Sequence, residues 1–452
     1  MVNTDTEFEY TGTWWRPPDT SKKLAGTLRH SPDKGTVLRV METLQTRGGP
    51  RDDPLAVVHG TTGEAPFISL RGITELGHSG DYRGQYETTY AVDTTVLGDH
   101  IAPDAPPAFE RLEVYFTSLA PWLSLPLFDD AALAGGGAIR QIELFPDKEM
   151  NLGVHENCSL TLSYGPSWES RGEGLSLSIV PYAYVAFDCG TPCDISRLSR
   201  YIAVFRDFLT FASGMPTAVM RIEAPPVRFT DRGHAHERLV YTREFAAPIR
   251  ELGYHLFLFE FGEVQSCIAD IIGAWYAAAE RIQPVFDQYL AGCYAPEMGP
   301  EANFLATVQA VEAYHRRTRD NRELPEAEHE ERLHRIMKAA PETHRKWITE
   351  KLRYSNEPSL RKRLKALFDE NRDVLVQFTK LNRKVFVQTA CDARNYLTHY
   401  DVSLEGKVPR GFELWKLIYS VQLLLDACLL RDLRVPTTTI VAFAKRKHMV
   451  LV

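Results

Sequence analysis

The sequence predicts an α+β multidomain chain: a β-rich N-terminal half, either a sandwich or a partly closed barrel, followed by an all-α helical bundle. Three observations predict it. At 452 residues the chain exceeds one ordinary hydrophobic core, so two or three domains are expected. Short runs of alternating or β-branched apolar residues, separated by turn formers, recur through the first half. From about residue 256 onward apolar residues recur at helical spacing, with short connections between helices. The expected division is therefore 1–255 and 256–452.

In chain order, the strand-like runs are 24–28, 36–41, 56–59, 67–70, 111–116, 159–164 and 175–185. Pro17-Pro18, Ser31-Pro32-Asp33-Lys34-Gly35, Gly48-Gly49-Pro50 and Gly135-Gly136-Gly137 punctuate them. Trp14 and Trp15 are expected as core and turn anchors rather than base-stacking platforms, because single-strand binders pair aromatics with a basic groove. The glycine run at 135–137 lacks the lysine and Ser/Thr of a phosphate loop, and no nucleophile triad or dinucleotide fingerprint is present. After Asp194 the texture changes. Residues 197–212 carry Leu198, Ile202, Phe205, Phe208 and Leu209 at helical spacing, and Gly214 and Pro216 end the run. A strand at 218–222 and a polar loop opened by Pro225-Pro226 should follow. Further helices are expected at 264–290 (kinked or broken at Pro284), 303–319, 328–339, 343–351, 359–370, 374–399 and 412–433. In the helix at 374–399, Leu375, Phe378, Leu381, Val385, Phe386 and Val387 should supply the buried face.

Composition is that of an ordinary globular protein: 44% hydrophobic, 25% charged, net charge −7. That balance gives no general pull toward nucleic acid, but residues 335–384 hold 14 Lys and Arg against 6 Asp and Glu, a locally basic stretch. The first ten residues are acidic and polar, unlike a secretion signal, and no run approaches the ~18 apolar residues that cross a bilayer. Seven cysteines, an odd number, fit free thiols in a reducing cytoplasm. Cys189-Gly-Thr-Pro-Cys193 has the wrong spacing for a zinc knuckle, and no second pair answers it. His234-Ala-His236, between Arg232 and Arg238, reads as an exposed loop. No metal or other cofactor is expected, and no membrane association.

The segment that carries chemistry is Arg394-Asn395-Tyr-Leu-Thr-His399. Imidazole exchanges a proton near neutral pH, guanidinium grips a phosphate with paired donors, and an amide orients either one. Spacing alone is weak: Arg250-Glu251-Leu-Gly253-Tyr-His255 repeats it, with an acidic neighbour that repels phosphate and a glycine that interrupts the helix. Looser Arg–His pairs occur at Arg71/His78 and Arg322/His329. Five helical residues turn about 500°, which leaves Arg394 and His399 about 140° apart. They share a cleft only if the last turn loosens or a second copy contributes. The bland alternative is helix-end electrostatics, where cationic side chains gain about 0.3–1 kcal/mol from the dipole.

The same segment resembles the Arg-x4–6-His signature of HEPN ribonucleases, whose residue after Arg is typically Asn, Asp or His. Phe304-Leu305-x6-Glu312-Ala-Tyr-His315-Arg316 is similar to the first helix of the HEPN module of ApeA-type proteins. Gly12-Thr-Trp14-Trp15-Arg-Pro-Pro18, Leu24-x-Gly26-x-Leu28, Gly35-x-Val37-Leu38-Arg-Val40 and Val57-Val58-His59-Gly60 resemble, in order, the opening of the ApeA N-terminal domain. The resemblance implies a HEPN-like helical bundle and a metal-independent endoribonuclease of bacterial anti-phage defence, working by abortive infection. It implies Arg394, Asn395 and His399 as catalytic residues and a homodimer through the helical domain. The RNA partner is transfer RNA as a family-level expectation, and a phage-derived trigger is sensed by the β-rich half. Glu312 and His315 are expected to support the cleft, set against an ordinary surface pair. Arg361, Lys362, Arg363 and Lys365 are expected to track an RNA backbone, set against a solvated helix face. The charged region 322–359 exceeds a minimal bundle, as a lid or RNA-binding insertion would, and 218–253 matches no named element. The alternative function is a non-catalytic adaptor, in which the bundle dimerises or binds RNA or nucleotide.

Overall fold

The computed structural model of the chain describes residues 7–45, 55–80, 86–104, 106–124, 144–171, 176–228, 235–247, 257–295, 297–378 and 382–449. Gly48-Gly49-Pro50, Gly135-Gly136-Gly137, Arg232, His234, Leu381 and the Arg250–His255 repeat lie outside these residues. The chain divides into two units: Met1–His255 with Glu260–Ala269, and Leu256–Phe259 with Asp270–Val452.

In the first unit, inward-facing residues at every second position wrap the sheet around one core. Strands β1 (Phe8–Trp15), β2 (Leu24–Ser31), β3 (Gly35–Met41), β4 (Leu55–Thr62), β5 (Ile68–Gly80) and β6 (Tyr86–Leu97) pair in the order β3-β2-β1-β4-β5-β6. A further β3–β6 pairing closes them into a six-stranded antiparallel barrel. Trp14, Leu28, Leu38, Val40, Val58, Leu70, Tyr90 and Val92 fill it. The recurrent glycines have a packing cause. Gly12 and Gly26 are register partners, and a Cβ on them would lie 2.1 Å from Thr61 O and 2.3 Å from Arg39 O. A Cβ on Gly60 would lie 2.1 Å from the Trp14 ring.

β6 then hands the sheet over. Residues 87–92 pair with β3, whereas Thr94–Leu97 pair with β12 (Ala235–Thr242). From there the sheet runs on through β11 (Val219–Arg228), β7 (Ala108–Phe116), β10 (Ser176–Asp194), β9 (Cys158–Arg171) and β8 (Lys148–His155). Helices α1 (Leu119–Leu123) and α2 (Ile195–Ser213) cover β7 and β10. Phe205 packs between Phe116 and Phe187, and Trp122 sits edge-on to Phe208 and to Phe261 of the short α3 (Phe261–Val264). Asp194 caps α2 by accepting the Ser196 N–H, and Gly214, left-handed, ends it.

Among the described residues each of the seven expected runs falls on a strand, with Phe67 just ahead of β5, and the 31–35 turn joins β2 to β3. Two expectations fail here. His236 belongs to β12, paired with Val227, rather than to a loop. The strand expected at 218–222 continues through Pro225-Pro226, because the ladder slips between Ala224 and Val227 and a bulge needs no proline N–H.

The second unit is helical: α4 (Ile268–Tyr294), α5 (Pro300–Thr318), α6 (Glu326–Ala339), α7 (Glu342–Leu352), α8 (Leu360–Glu370), α9 (Arg372–Phe378), α10 (Arg383–His399), α11 (Phe412–Asp432) and α12 (Thr437–Met449). α4 is distorted at Ile282, in the turn whose hydrogen bond Pro284 removes. The continuous helix expected at 374–399 is two helices, because Asn382 caps α10 by accepting the Lys384 and Val385 N–H groups. Val385, expected inside, is 61% exposed, while Phe386 and Val387 are buried. α12 was not expected. No helix among the described residues is long and apolar enough to cross a membrane.

Helices α5, α8, α10 and α11 pack on one another. At the α5–α8 contact the buried Arg363 guanidinium donates to His315 Nδ1 at 3.2 Å and to Asn321 Oδ1 at 2.6 Å, with Glu357 at 3.7 Å. Because arginine only donates, His315 Nδ1 accepts and its ring is neutral. Burial, then the Arg363 charge, pull the His315 pKa below the usual imidazole range.

Two predictions follow from this packing. Gly60→Ala should destabilise the barrel by about 1–3 kcal/mol through overpacking. Gly63→Ala, where a Cβ meets nothing within 4 Å, should change little; equal thermal unfolding of the two variants would refute the close approach. Arg363→Met should cost about 3 kcal/mol by stranding buried partners, against about 0.5 kcal/mol or less for Lys365→Ala. Denaturant midpoints that match for these two would show Arg363 is not an internal tie.

Candidate functional site

α10 is held by one face and free at one end. Phe386, Val387, Ala390, Cys391 and Ala393 form its buried stripe, with Phe386 5.9 Å from the Phe368 ring of α8. Beyond Ala393 the stripe stops: Arg394 is half-buried, and Asn395, Thr398 and His399 are exposed. The helix stays regular to His399 and ends at left-handed Tyr400 (φ 51°), whose N–H bonds to Tyr396 O at 2.6 Å. The last turn therefore does not loosen, and the separation of about 140° stands.

Each half of the motif has its own surroundings. Arg394 Nη1 donates to Asn395 Oδ1 at 3.3 Å, which leaves the Asn395 amide nitrogen to donate elsewhere. The Thr398 hydroxyl bonds back to Arg394 O at 2.7 Å. Burial raises the Cys391 thiol pKa; Arg361 and Arg394 oppose that shift, and Asp392 and Glu312 add to it. Arg361, Glu312 and Arg394, from α8, α5 and α10, thus all act electrostatically on one buried residue. On the other side, His399 adjoins Asp401. Hydrogen bonds from Ser403 chiefly hold the Asp401 carboxylate below its usual range, and Lys407 and His399 add to this. Arg410 bonds to the Tyr396 hydroxyl at 3.2 Å and lies over its ring.

The remaining expected residues divide. Glu312 is half-buried near Arg363 and Cys391, but His315 is buried in the Arg363 tie and presents no free ring nitrogen at Nδ1. Of the expected RNA-tracking cations, Arg363 is a correction: helical spacing turns it inward, and it is fully buried. Lys362 forms an ion pair with Glu323, while Arg361 and Lys365 remain at the surface. α6 buries His329 alone, and α7 buries no residue. Trp347 and Tyr354 in this region are 60% and 64% exposed. Asp401 and Arg410 escaped the sequence reading, although a carboxylate two residues past the histidine was a signal within reach.

A second surface feature borders the motif. Phe412, Trp415 and Tyr419 stack along α11 with centroids 5.8 and 5.2 Å apart, and Lys416 Nζ sits 4.6 Å over Phe412. Phe412 and Trp415 of this stack are exposed, as are Tyr400 and Val402 just past the motif, while Tyr419 is half-buried.

No curated protein and no solved structure matches the chain. Two family models do. One, described as Apea-like HEPN, matches residues 305–439, the stretch that holds α8, α10 and α11. The other, described as ApeA N-terminal domain 1, matches residues 9–275, more than half of the chain. The two matches take in nearly all of the barrel and outer sheet and, in the helical unit, the span from α5 to α11, and the chain belongs to the ApeA N-terminal domain 1 family as an ApeA-like protein with a C-terminal HEPN domain.

Proposed function

We propose that this chain is a metal-independent endoribonuclease of anti-phage defence, whose site is assembled from Arg394, Asn395 and His399 of two copies. HEPN domains are generally associated with ribonuclease activity, which supports the reaction class. The observation that carries the reading is the end of α10: a guanidinium–amide pair and an imidazole, all reaching solvent, on a helix that turns them apart. Two copies related by a twofold axis bring an arginine from one α10 beside a histidine from the other. The exposed Phe412–Trp415 ladder, with Tyr400 and Val402, is the apolar surface available to bury in such a pairing.

In this mechanism one His399 takes the proton of an RNA 2′-OH, whose oxygen attacks the adjacent phosphorus. The P–O5′ bond breaks, and the His399 of the second copy, as imidazolium, protonates the departing oxygen. The products are a 2′,3′-cyclic phosphate and a free 5′-OH. Arg394 stabilises the charge that grows on the phosphoryl oxygens, and the Asn395 amide positions one of them. Glu312 and Arg361 act, with Arg394, on the surroundings of Cys391 one turn before the motif arginine, and the Asp401 carboxylate follows two residues after His399. DNA lacks the 2′-OH nucleophile and resists cleavage. Membership of the ApeA family supports the defence setting. In this reading the barrel-containing unit senses a phage component and restrains the nuclease until then, and the substrate is an RNA, transfer or messenger.

RNA cleavage in EDTA by wild type, His399→Ala and Arg394→Ala tests this, with the product termini read directly. Wild type, alone or in phage-infected lysate, should leave cyclic phosphate ends. Each variant should lose about 10²–10⁴ of the rate with an unchanged circular dichroism spectrum. Full activity in His399→Ala would remove the site, and a wild-type phenotype without any cleavage would favour the adaptor reading.

A further inference from the structure

The cysteines set aside for want of a zinc spacing are brought together by the sheet. In β9 and β10, Ser159 and Asp188 are register partners, so Cys158 and Cys189 occupy the next opposed position. Directly opposed residues of antiparallel strands have Cα atoms roughly 4.5–5.5 Å apart, inside the roughly 4.4–6.8 Å spanned by disulfides. On its other edge, β10 pairs with β7 through Asp188↔Arg111 and resumes only at Cys193↔Phe109. Residues 189–192 are therefore an outward excursion, and it returns Cys193 to the same place. The Cys158 and Cys193 thiols donate to the neighbouring Ser159 and Asp194 carbonyls at 3.9 and 3.8 Å, and Cys189 acts electrostatically on both. Cys189 is partly exposed, Cys158 and Cys193 are buried, and all three are free.

We propose that Cys158, Cys189 and Cys193 form a peroxide-responsive thiol relay, with Cys189 as the reacting sulfur and Cys193 as its first partner. The reaction uses a hydroperoxide as oxidant. Cys189, as thiolate, attacks the peroxide oxygen and becomes a sulfenic acid while one water (or alcohol) leaves. Cys193 then attacks that sulfur and expels a second water, so two thiols lose two electrons and two protons to the peroxide. The order of partners follows from the chain: Cys193 ends the same short excursion of β10 that Cys189 begins, whereas Cys158 lies on the neighbouring strand. Burial raises the pKa of both buried thiols; the Arg197 charge opposes this at Cys193, whereas Asp188 adds to it at Cys158. Cys158 stands ready for exchange onto Cys189.

The Cys189–Cys193 bridge would close the excursion directly before Asp194, the cap of α2. The same corner is tied to the β8–β9 turn by Arg197 and Tyr201, which both bind Glu156. Oxidation thus acts where a strand, a hairpin and a helix start meet. In a reducing compartment the bridge would be transient, as signalling disulfides are.

The test is peptide mapping of the native full-length chain after stoichiometric hydrogen peroxide, with alkylation of remaining thiols. Cys267 and Cys293, of similar exposure, serve as internal controls. The expected result is a Cys189–Cys193 disulfide, reversed by dithiothreitol, while Cys267 and Cys293 stay alkylatable. Cys193→Ser should move the bridge to Cys158–Cys189, and Cys189→Ser should abolish bridging at this corner. The proposal is overturned if Cys189 stays as alkylatable as the two controls, or if it ends as sulfinic acid without a bridge. Stoichiometric zinc retained by the three thiols would overturn it equally.

Discussion

The pitch of one helix governs the functional reading. Five residues of regular α-helix place Arg394 and His399 about 140° apart, and the buried stripe from Phe386 to Ala393 fixes which way each then points. Nothing in the last turn relieves this, since Tyr400 closes the helix in the left-handed conformation without unwinding it. The proposed cleft, which uses both side chains, is accordingly built from two copies of α10. That requirement gives a role to the apolar side chains left exposed beside the motif, which otherwise carry a solvation cost without return.

In the other unit a single strand holds a comparable position. β6 keeps β5 on one edge along its length and divides the other edge between β3 and β12. Its first part closes the barrel, and its second part launches the outer sheet. This arrangement lets one continuous sheet enclose a core and still present a second face to α1 and α2. It also leaves the barrel crowded: Gly12, Gly26 and Gly60 stand where neighbouring backbone or the Trp14 ring occupies the space of a Cβ. The motifs that carried the N-terminal resemblance are thus largely the packing rules of this barrel.

The division into strands and helices was legible because alternating and 3.6-residue patterns are strong where one face is buried. It failed where that condition fails. β6 is buried on both faces over much of its length, β8 is a polar edge strand, and β12 carries Glu237-Arg238 in its first half, so none alternates cleanly. The break before α10 rests on one capping asparagine inside an otherwise helical pattern. Around the site, the motif residues were visible as residue types at a spacing, but the fate of Arg363 was not. Arg361-Lys-Arg363 looks like one basic cluster, yet helical rotation sends its third member into the bundle to meet His315. The place of Cys158 opposite Cys189, and that of Arg410 over Tyr396, were invisible for a related reason: each depends on a register or a turn that brings distant positions together.

The most direct test of a composite site mixes active and inactive chains. Wild type and His399→Ala would be co-expressed in equal amounts, and the mixed population assayed for metal-independent RNA cleavage against the same total amount of wild type. A cleft that needs the His399 of both copies predicts about a quarter of wild-type activity, because random pairing leaves about a quarter of the dimers with two histidines. Activity at about half of wild type would contradict the account and place a complete site in each copy.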